Sequence, residues 1–259
     1  MRLQARGFTL IELLVVISII AMLISILLPA LGRAKTAAQD LNCQANQRQV
    51  GVAFQVYTGD NDGSYPQWED SATFPKVYWP ARMLQQDLLP GGEVFECPRF
   101  ADAANGFSFS ELNLERYALT DWRFNRVHYG FNAYNLGCSY RQLTADGSSL
   151  STQEKLHSAP ARAYEITRPS ETVMLADSIN VASRTTDPPG FGSYALADYY
   201  PGTLYAAALR HGDGSVVAVT WCDGHVSNLH GDPNEPNGLG AYTGDLIPAN
   251  QPNNYWDRK

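Results

Sequence analysis

Arg6-Gly7-Phe8-Thr9-Leu10-Ile11-Glu12 opens the stretch that decides the fold, and Phe8–Leu28 reads FTLIELLVVISIIAMLISILL. Glu12 is the sole ionisable side chain in those 21 residues. As a helix the run spans about 31 Å, against a hydrocarbon core of roughly 30 Å. It exceeds the apolar segment of an ordinary secretory signal, about 7–15 residues, and no Ala-x-Ala-like site follows it. Core helices rarely run so long without a polar face, so the segment predicts a membrane-spanning helix. Arg2 and Arg6 precede it without an acid, so Met1 is expected in the cytoplasm and the chain beyond Pro29 outside. Glu12 is the anomaly. A carboxylate at that depth costs a few kcal/mol unless it snorkels to the interface or meets a cation. The span contains none, but a cut between Gly7 and Phe8 would create an amino group four residues before Glu12.

After Pro29 the helical pattern continues. Leu31, Ala34, Ala38, Leu41 and Ala45 recur at alternating three- and four-residue steps, and Val50, Phe54 and Tyr57 extend the stripe. This amphipathic portion, residues 30–58, needs a partner on one face. A continuous helix from Phe8 to Tyr57 would measure about 75 Å, with its inner half in lipid and its outer half against a head. Gly59-Asp60-Asn61-Asp62-Gly63 carries the turn chemistry that stops it.

The remainder, residues 59–230, reads as a head with an antiparallel sheet and long loops, an α+β arrangement. A short helical stretch lies near Arg82–Leu88. Strand-like runs follow at Val94–Cys97, Tyr129–Tyr134, Thr172–Ala176, Ser215–Trp221 and His225–Leu229. Asp223-Gly224 between the last two is a hairpin signal. The Asn-, Pro- and Gly-rich tail, residues 231–259, is expected as a surface wrap or loose end.

The N-terminal residues carry a resemblance. Arg6 to Glu12 followed by the apolar run resembles the signal of type IV prepilins and type II secretion pseudopilins. The resemblance implies that residues 1–7 form a leader removed after Gly7 by a prepilin peptidase, with N-methylation of Phe8. It implies that residues 8–29 form a transmembrane and filament-core helix. Glu12 would then pair with the Phe8 amine of a neighbouring subunit during assembly. A second set of landmarks extends the likeness along the chain. These are Cys43 within LNCQANQRQVGVAFQVYTGDNDGSYP, Phe95-Glu96-Cys97-Pro98, Tyr129-Gly130-Phe131-Asn132, and Val217–Val226 with Trp221-Cys222-Asp223-Gly224-His225-Val226. They resemble the large pseudopilin-like proteins of planctomycete, verrucomicrobial and lentisphaeral genomes. The His211-to-Asp223 spacing is longer here than is usual there. The resemblance implies a pilin-like fold, with other pilin or pseudopilin subunits, the peptidase, an inner-membrane assembly platform and membrane lipid as partners. It places the protein in a bacterial inner membrane as a single span, with the head periplasmic or extracellular in a filament.

Composition excludes other classes. Of 259 residues 44% are apolar and 17% charged, unlike a disordered chain. Nineteen basic against 26 acidic residues leave a net charge of −7, so no nucleic acid is expected as a partner. Cys43, Cys97, Cys138 and Cys222 allow three pairings outside the cytoplasm. Cys43–Cys97 is favoured, since pinning helix to strand would close a loop of about 54 residues, worth about 3–4 kcal/mol. No Cys-x-x-Cys occurs, which weakens a zinc or thiol-redox reading.

His211, His225 and His230 gather with Asp213 and Asp223, the types a metal hydrolase would use. No helical His-x-x-x-His and no Gly-x-Ser-x-Gly elbow accompanies them, so turn hydrogen bonding is the expected role, no catalytic residue is assigned and no enzyme is expected. No cofactor is required. Calcium is the better metal candidate, with Asp60, Asp62, Asp232 and Asp245 offering hard oxygens, although neither stretch fits an EF-hand. Related major pseudopilins use a calcium site. Trp68, Tyr78, Trp79, Trp122, Tyr199, Tyr200 and Trp256 could line a glycan face or pack in the core. Two functions therefore lead at this point, a structural filament subunit and a membrane-anchored binding module, for instance for polysaccharide, that never polymerises; an anchored hydrolase built on the His211 and Asp223 region stands behind both.

Overall fold

The computed structural model describes residues 9–70, 76–100, 108–133, 136–137, 160–180, 192–193, 195–196 and 205–231. Helix α1 runs unbroken from Leu10 to Asp60, 51 residues and about 77 Å. Leu, Ile, Val and Ala dominate it. Ser18 and Ser25 return their hydroxyls to the carbonyls of Val15 and Met22, at 2.8 and 2.7 Å, so neither needs an outside partner. Pro29 sits inside the helix without ending it. Beyond Asp60, Asp62 and Gly63 adopt positive φ of 53° and 79°, and the Gly63 amide donates to the Thr58 carbonyl at 2.8 Å.

The head is built on a six-stranded sheet. Its strands are β3 (Tyr129–Asn132), β4 (Val173–Asn180), β5 (Ala195–Leu196), β6 (Tyr205–Ala207), β7 (Val216–Trp221) and β8 (Val226–His230). The spatial order is β5-β3-β4-β7-β8, with β6 pairing the end of β4. All pairs are antiparallel except β3 with β5. A separate two-stranded ribbon, β1 (Glu69–Asp70) and β2 (Val77–Tyr78), leads into helix α2 (Trp79–Gln85). This α+β architecture, a long helix packed on a small sheet, is the pilin-like one expected. The β7–β8 hairpin turns at Asp223-Gly224, where Gly224 takes φ 88° and its amide donates to the Trp221 carbonyl at 2.9 Å.

Two local expectations change. Val94–Cys97 is not a strand: Gly92–Phe95 is a turn of 3₁₀ helix. The first part of the stripe, Leu31, Ala34, Ala38, Leu41 and Ala45, does not face the head, since all five are exposed, whereas its extension at Val50, Phe54 and Tyr57 does pack on the core. The buried face of α1 is Cys43, Gln47, Val50, Gly51, Ala53, Phe54 and Thr58. At about 100° per residue, Cys43 and Leu41 point to opposite sides.

That buried face meets β4, β7 and β8. Phe54 is its centre, with ring centroids 5.0 Å from Trp79 and 4.7 Å from Phe131, and Trp79 stacks edge-on against Phe95 at 5.7 Å. Trp68 and Trp79 are thus core residues, and neither contributes to an open aromatic face. Trp122 is half exposed, with the Arg123 and Arg126 guanidinium groups 4.9 and 4.4 Å from its ring. Tyr199, Tyr200, Trp256 and the tail from 232 onward lie outside the described residues.

Candidate functional site

Two places concentrate the chemistry. The first is the start of α1. Thr9 is the N-cap, and Glu12 closes a capping box with it: the Glu12 amide donates to Thr9 Oγ1 at 3.3 Å, while the Thr9 amide donates to Glu12 Oε2 at 2.9 Å. The Thr9 hydroxyl also donates to Glu12 Oε2, at 2.8 Å. The pattern Thr-x-x-Glu before an apolar run is a sequence signature of a helix start, and it supplies a local role for Glu12 beside the electrostatic one. Gly7 and Phe8 lie outside the described residues. From Leu10 to Leu31 the helix is exposed throughout, and it is long and apolar enough to cross a membrane.

The second place is where α1 meets the sheet, and His211 is its hub. His211 ends the stretch leading into β7 and is buried. Its Nδ1 lies 2.7 Å from Asp40 Oδ1 on α1, and its Nε2 lies 3.0 Å from Asp177 Oδ2 on β4. Cys97 Sγ is 3.9 Å from the same Nε2. Burial alone would lower the His211 pKa. Hydrogen bonds to Asp177 and Cys97, the Asp177 charge and the Asp40 hydrogen bond outweigh it and push it up to about 11.

Asp177 is fully buried and well supplied with donors: the Ala218 amide reaches Oδ2 at 2.8 Å and Gln47 Nε2 reaches Oδ1 at 3.2 Å. Arg210 Nη1 stands 3.8 Å from Oδ1 and donates to the His128 carbonyl at 2.9 Å. Its guanidinium carbon lies 4.1 Å from the Phe100 ring centroid. Arg99 Nε pairs with Asp40 Oδ1 at 3.0 Å.

Cys43 and Cys97 meet at this hub, both fully buried and both free thiols. The neighbouring Cys43 sulfur and burial push the Cys97 thiol well above its ordinary range. Cys222 is also a free, buried thiol, its pKa pushed up to about 12 chiefly by burial; Cys138 lies outside the described residues.

The remaining candidates separate. Asp223 does not join His211 but holds the exposed His225, whose Nδ1 is 2.6 Å from Asp223 Oδ1 and whose amide donates to it at 3.1 Å. His225 stacks on Trp221 at 5.5 Å, so this pair serves the hairpin turn. Asp60 and Asp62 line a polar pocket of about 460 Å³ at the end of α1 with Tyr57, Tyr65 and Arg82. Asp232 and Asp245 fall outside the described residues. Sequence reasoning missed Asp40, Asp177 and Gln47, since nothing in their local pattern distinguishes them from solvated polar residues.

Residues 2–28 match the family described as the prokaryotic N-terminal methylation motif. No curated protein and no protein of solved structure matches the chain. The matched segment is a prepilin-type signal, and a long apolar helix with an α+β head stands behind it. Together they indicate a type IV pilin- or pseudopilin-like precursor with a membrane-anchoring N-terminal helix, a structural class of protein.

Proposed function

We propose that the chain is a structural subunit of a type IV pilus-like or type II secretion filament, and by its size a minor pseudopilin. The observation that carries this reading is the continuity of α1. Its exposed apolar surface runs from Leu10 to Leu31 and continues down the outer half through Leu41, Val52 and Val56, on the side turned away from the buried face. Lipid covers the inner part of such a surface, but the outer part projects beyond a bilayer and needs a protein cover. The helix of an adjoining copy supplies one, by packing apolar ridges into grooves.

In this reading the subunit waits in the inner membrane with residues 1–7 in the cytoplasm and the head outside. Prepilin peptidase cuts after Gly7, the new Phe8 amine is methylated, and an inner-membrane platform moves the helix into the filament core. There Glu12 meets the Phe8 amine of the next copy. A buried pair of opposite charges is tolerable in that core, whereas either charge alone is penalised. Intact-mass analysis of protein purified from membranes tests the processing, with cross-linking of sheared surface material testing assembly. The expected result is a chain beginning at methylated Phe8 that cross-links into multimers. A chain retaining Met1 and forming no multimers under any growth condition overturns the proposal and favours a tethered binding module.

A further inference from the structure

Cys43, Cys97 and His211 come from three distant parts of the chain, yet one ligand atom from each lies within 4.8 Å of the others, and all three residues are buried. We propose that this cluster is a structural site for a thiophilic divalent metal ion, zinc foremost, that fastens the long helix to the head.

The donor set argues for that ion. Two sulfurs and an imidazole nitrogen are the ligands that zinc takes in closed structural sites, at about 2.0–2.3 Å. His211 is also held as metal-bound histidines are held. Its Nδ1 is engaged by the Asp40 carboxylate at 2.7 Å, which leaves Nε2 directed at Cys97 and Asp177. A carboxylate on the far nitrogen fixes the tautomer and the ring orientation, and raises the basicity of the ligating one. Asp177 Oδ2, 3.0 Å from Nε2, offers a fourth donor on a strand that cannot swing away.

Charge is consistent with the same assignment. Binding displaces one proton from each thiol and the Nε2 proton of His211, leaving its imidazole neutral with the Nδ1 proton donated to Asp40. Two thiolates, Asp40 and Asp177 carry four negative charges; the divalent ion, Arg99 and Arg210 carry four positive ones. Arg99 and Arg210 already stand at 3.0 and 3.8 Å from those carboxylates. A buried cluster whose charges balance is the kind that folding tolerates. The consequence is mechanical: one ion would tie α1 at Cys43, the segment after the 3₁₀ turn at Cys97 and the approach to β7 at His211.

A disulfide between Cys43 and Cys97 competes for the same sulfurs, and the two outcomes are distinguishable. The full-length protein is purified in detergent without chelator, its metal content is measured, and it is then stripped and titrated with Zn(II) and with Co(II). One zinc per chain is expected, with tetrahedral Co(II) absorption and thiolate-to-cobalt charge-transfer bands. Cys43→Ser and Cys97→Ser should each abolish those bands. Asp40→Asn should keep the stoichiometry while weakening zinc affinity by about 10–100-fold, an effect that a merely structural aspartate would not have. Should the cysteine variants fail to fold, the cobalt spectrum of the unaltered chain still decides. Wild-type protein that takes up neither metal, or that resists alkylation when denatured and lacks the mass of two hydrogens, overturns the proposal.

Discussion

Gln47, about three-quarters of the way along α1, and Asp177, at the centre of the sheet, share a 3.2 Å hydrogen bond at a point where both are fully buried. Gln47 Nε2 also donates to the Ala218 carbonyl at 3.2 Å, and its Oε1 accepts from Thr220 Oγ1 at 3.1 Å. One amide therefore satisfies groups on two strands, which is why a polar residue occupies the face where an apolar one is the simpler choice. Gln47→Ala should cost about 1–3 kcal/mol, because it strands the partners without water. Equilibrium denaturation of the detergent-solubilised chain, followed by tryptophan fluorescence, measures it. Gln47→Leu should not recover the loss, since volume is not what is missing.

Four residues on, Gly51 faces Thr220 so closely that an added Cβ would lie 2.8 Å from Thr220 Cγ2 and 3.5 Å from Met174 Cε. Two opposing effects then apply. Alanine is a better helix former by about 1 kcal/mol, while overpacking costs about 1–3 kcal/mol. Gly51→Ala alone should therefore be neutral to about 2 kcal/mol destabilising. Thr220→Ser removes the obstructing methyl and keeps the hydroxyl that serves Gln47. In that background Gly51→Ala should become stabilising, and a double-mutant cycle on denaturation midpoints reads the reversal.

How far these features are legible in the sequence differs by element. The span and the start of α1 depend on residues adjacent in the chain, so an uninterrupted apolar run declares them. Asp223-Gly224 declares its hairpin for the same reason. The packing face of α1 does not follow from hydrophobicity, because the head takes Cys43, Gln47 and Gly51, whose burial depends on groups supplied by β4 and β7. Of the stripe read from the sequence, Val50 and Phe54 do face the head, while Leu31, Ala34, Ala38, Leu41 and Ala45 point the other way. Val94–Cys97 reads as a strand by residue type, but Gly92 is wedged so tightly that an added Cβ would lie 2.4 Å from the Leu112 carbonyl oxygen, and the chain winds into a 3₁₀ turn. The His211 hub joins residues 40, 97, 177 and 211, a long-range arrangement with no local period to betray it.

The two faces of the outer helix should respond oppositely to substitution. Leu41 is 65% exposed and Phe54 fully buried. Leu41→Gln touches nothing in the head and should change its stability by no more than about 0.5 kcal/mol. If the outer stripe packs on another copy, the same change should lower the yield of sheared filaments. Phe54→Ala should cost about 3–5 kcal/mol through the cavity among Trp79 and Phe131, and should deplete the protein before assembly arises. Thermal denaturation paired with filament recovery separates the two. Full filament recovery from Leu41→Gln would remove the stripe from the assembly interface.

Glu12 has two possible reasons to be where it is, and its capping box with Thr9 lets them be separated. As a cap, its carboxylate accepts from the Thr9 amide at 2.9 Å; as an assembly residue, it must also carry a negative charge. Glu12→Ala removes both and so is uninformative by itself. Glu12→Gln keeps an oxygen able to accept that bond while removing the charge. Thr9→Ala keeps the charge and removes the side chain that accepts from the Glu12 amide, for a loss of about 0.5–2 kcal/mol in helix stability. If pairing with the Phe8 amine drives incorporation, Glu12→Gln should fail to enter filaments as completely as Glu12→Ala, while Thr9→Ala should still assemble. All three should insert in the membrane and lose residues 1–7 normally, since the cut site is intact. The reverse ranking, with Glu12→Gln assembling and Thr9→Ala failing, would make Glu12 a helix cap and nothing more. Quantitative immunoblotting of sheared and membrane fractions reads the ranking directly.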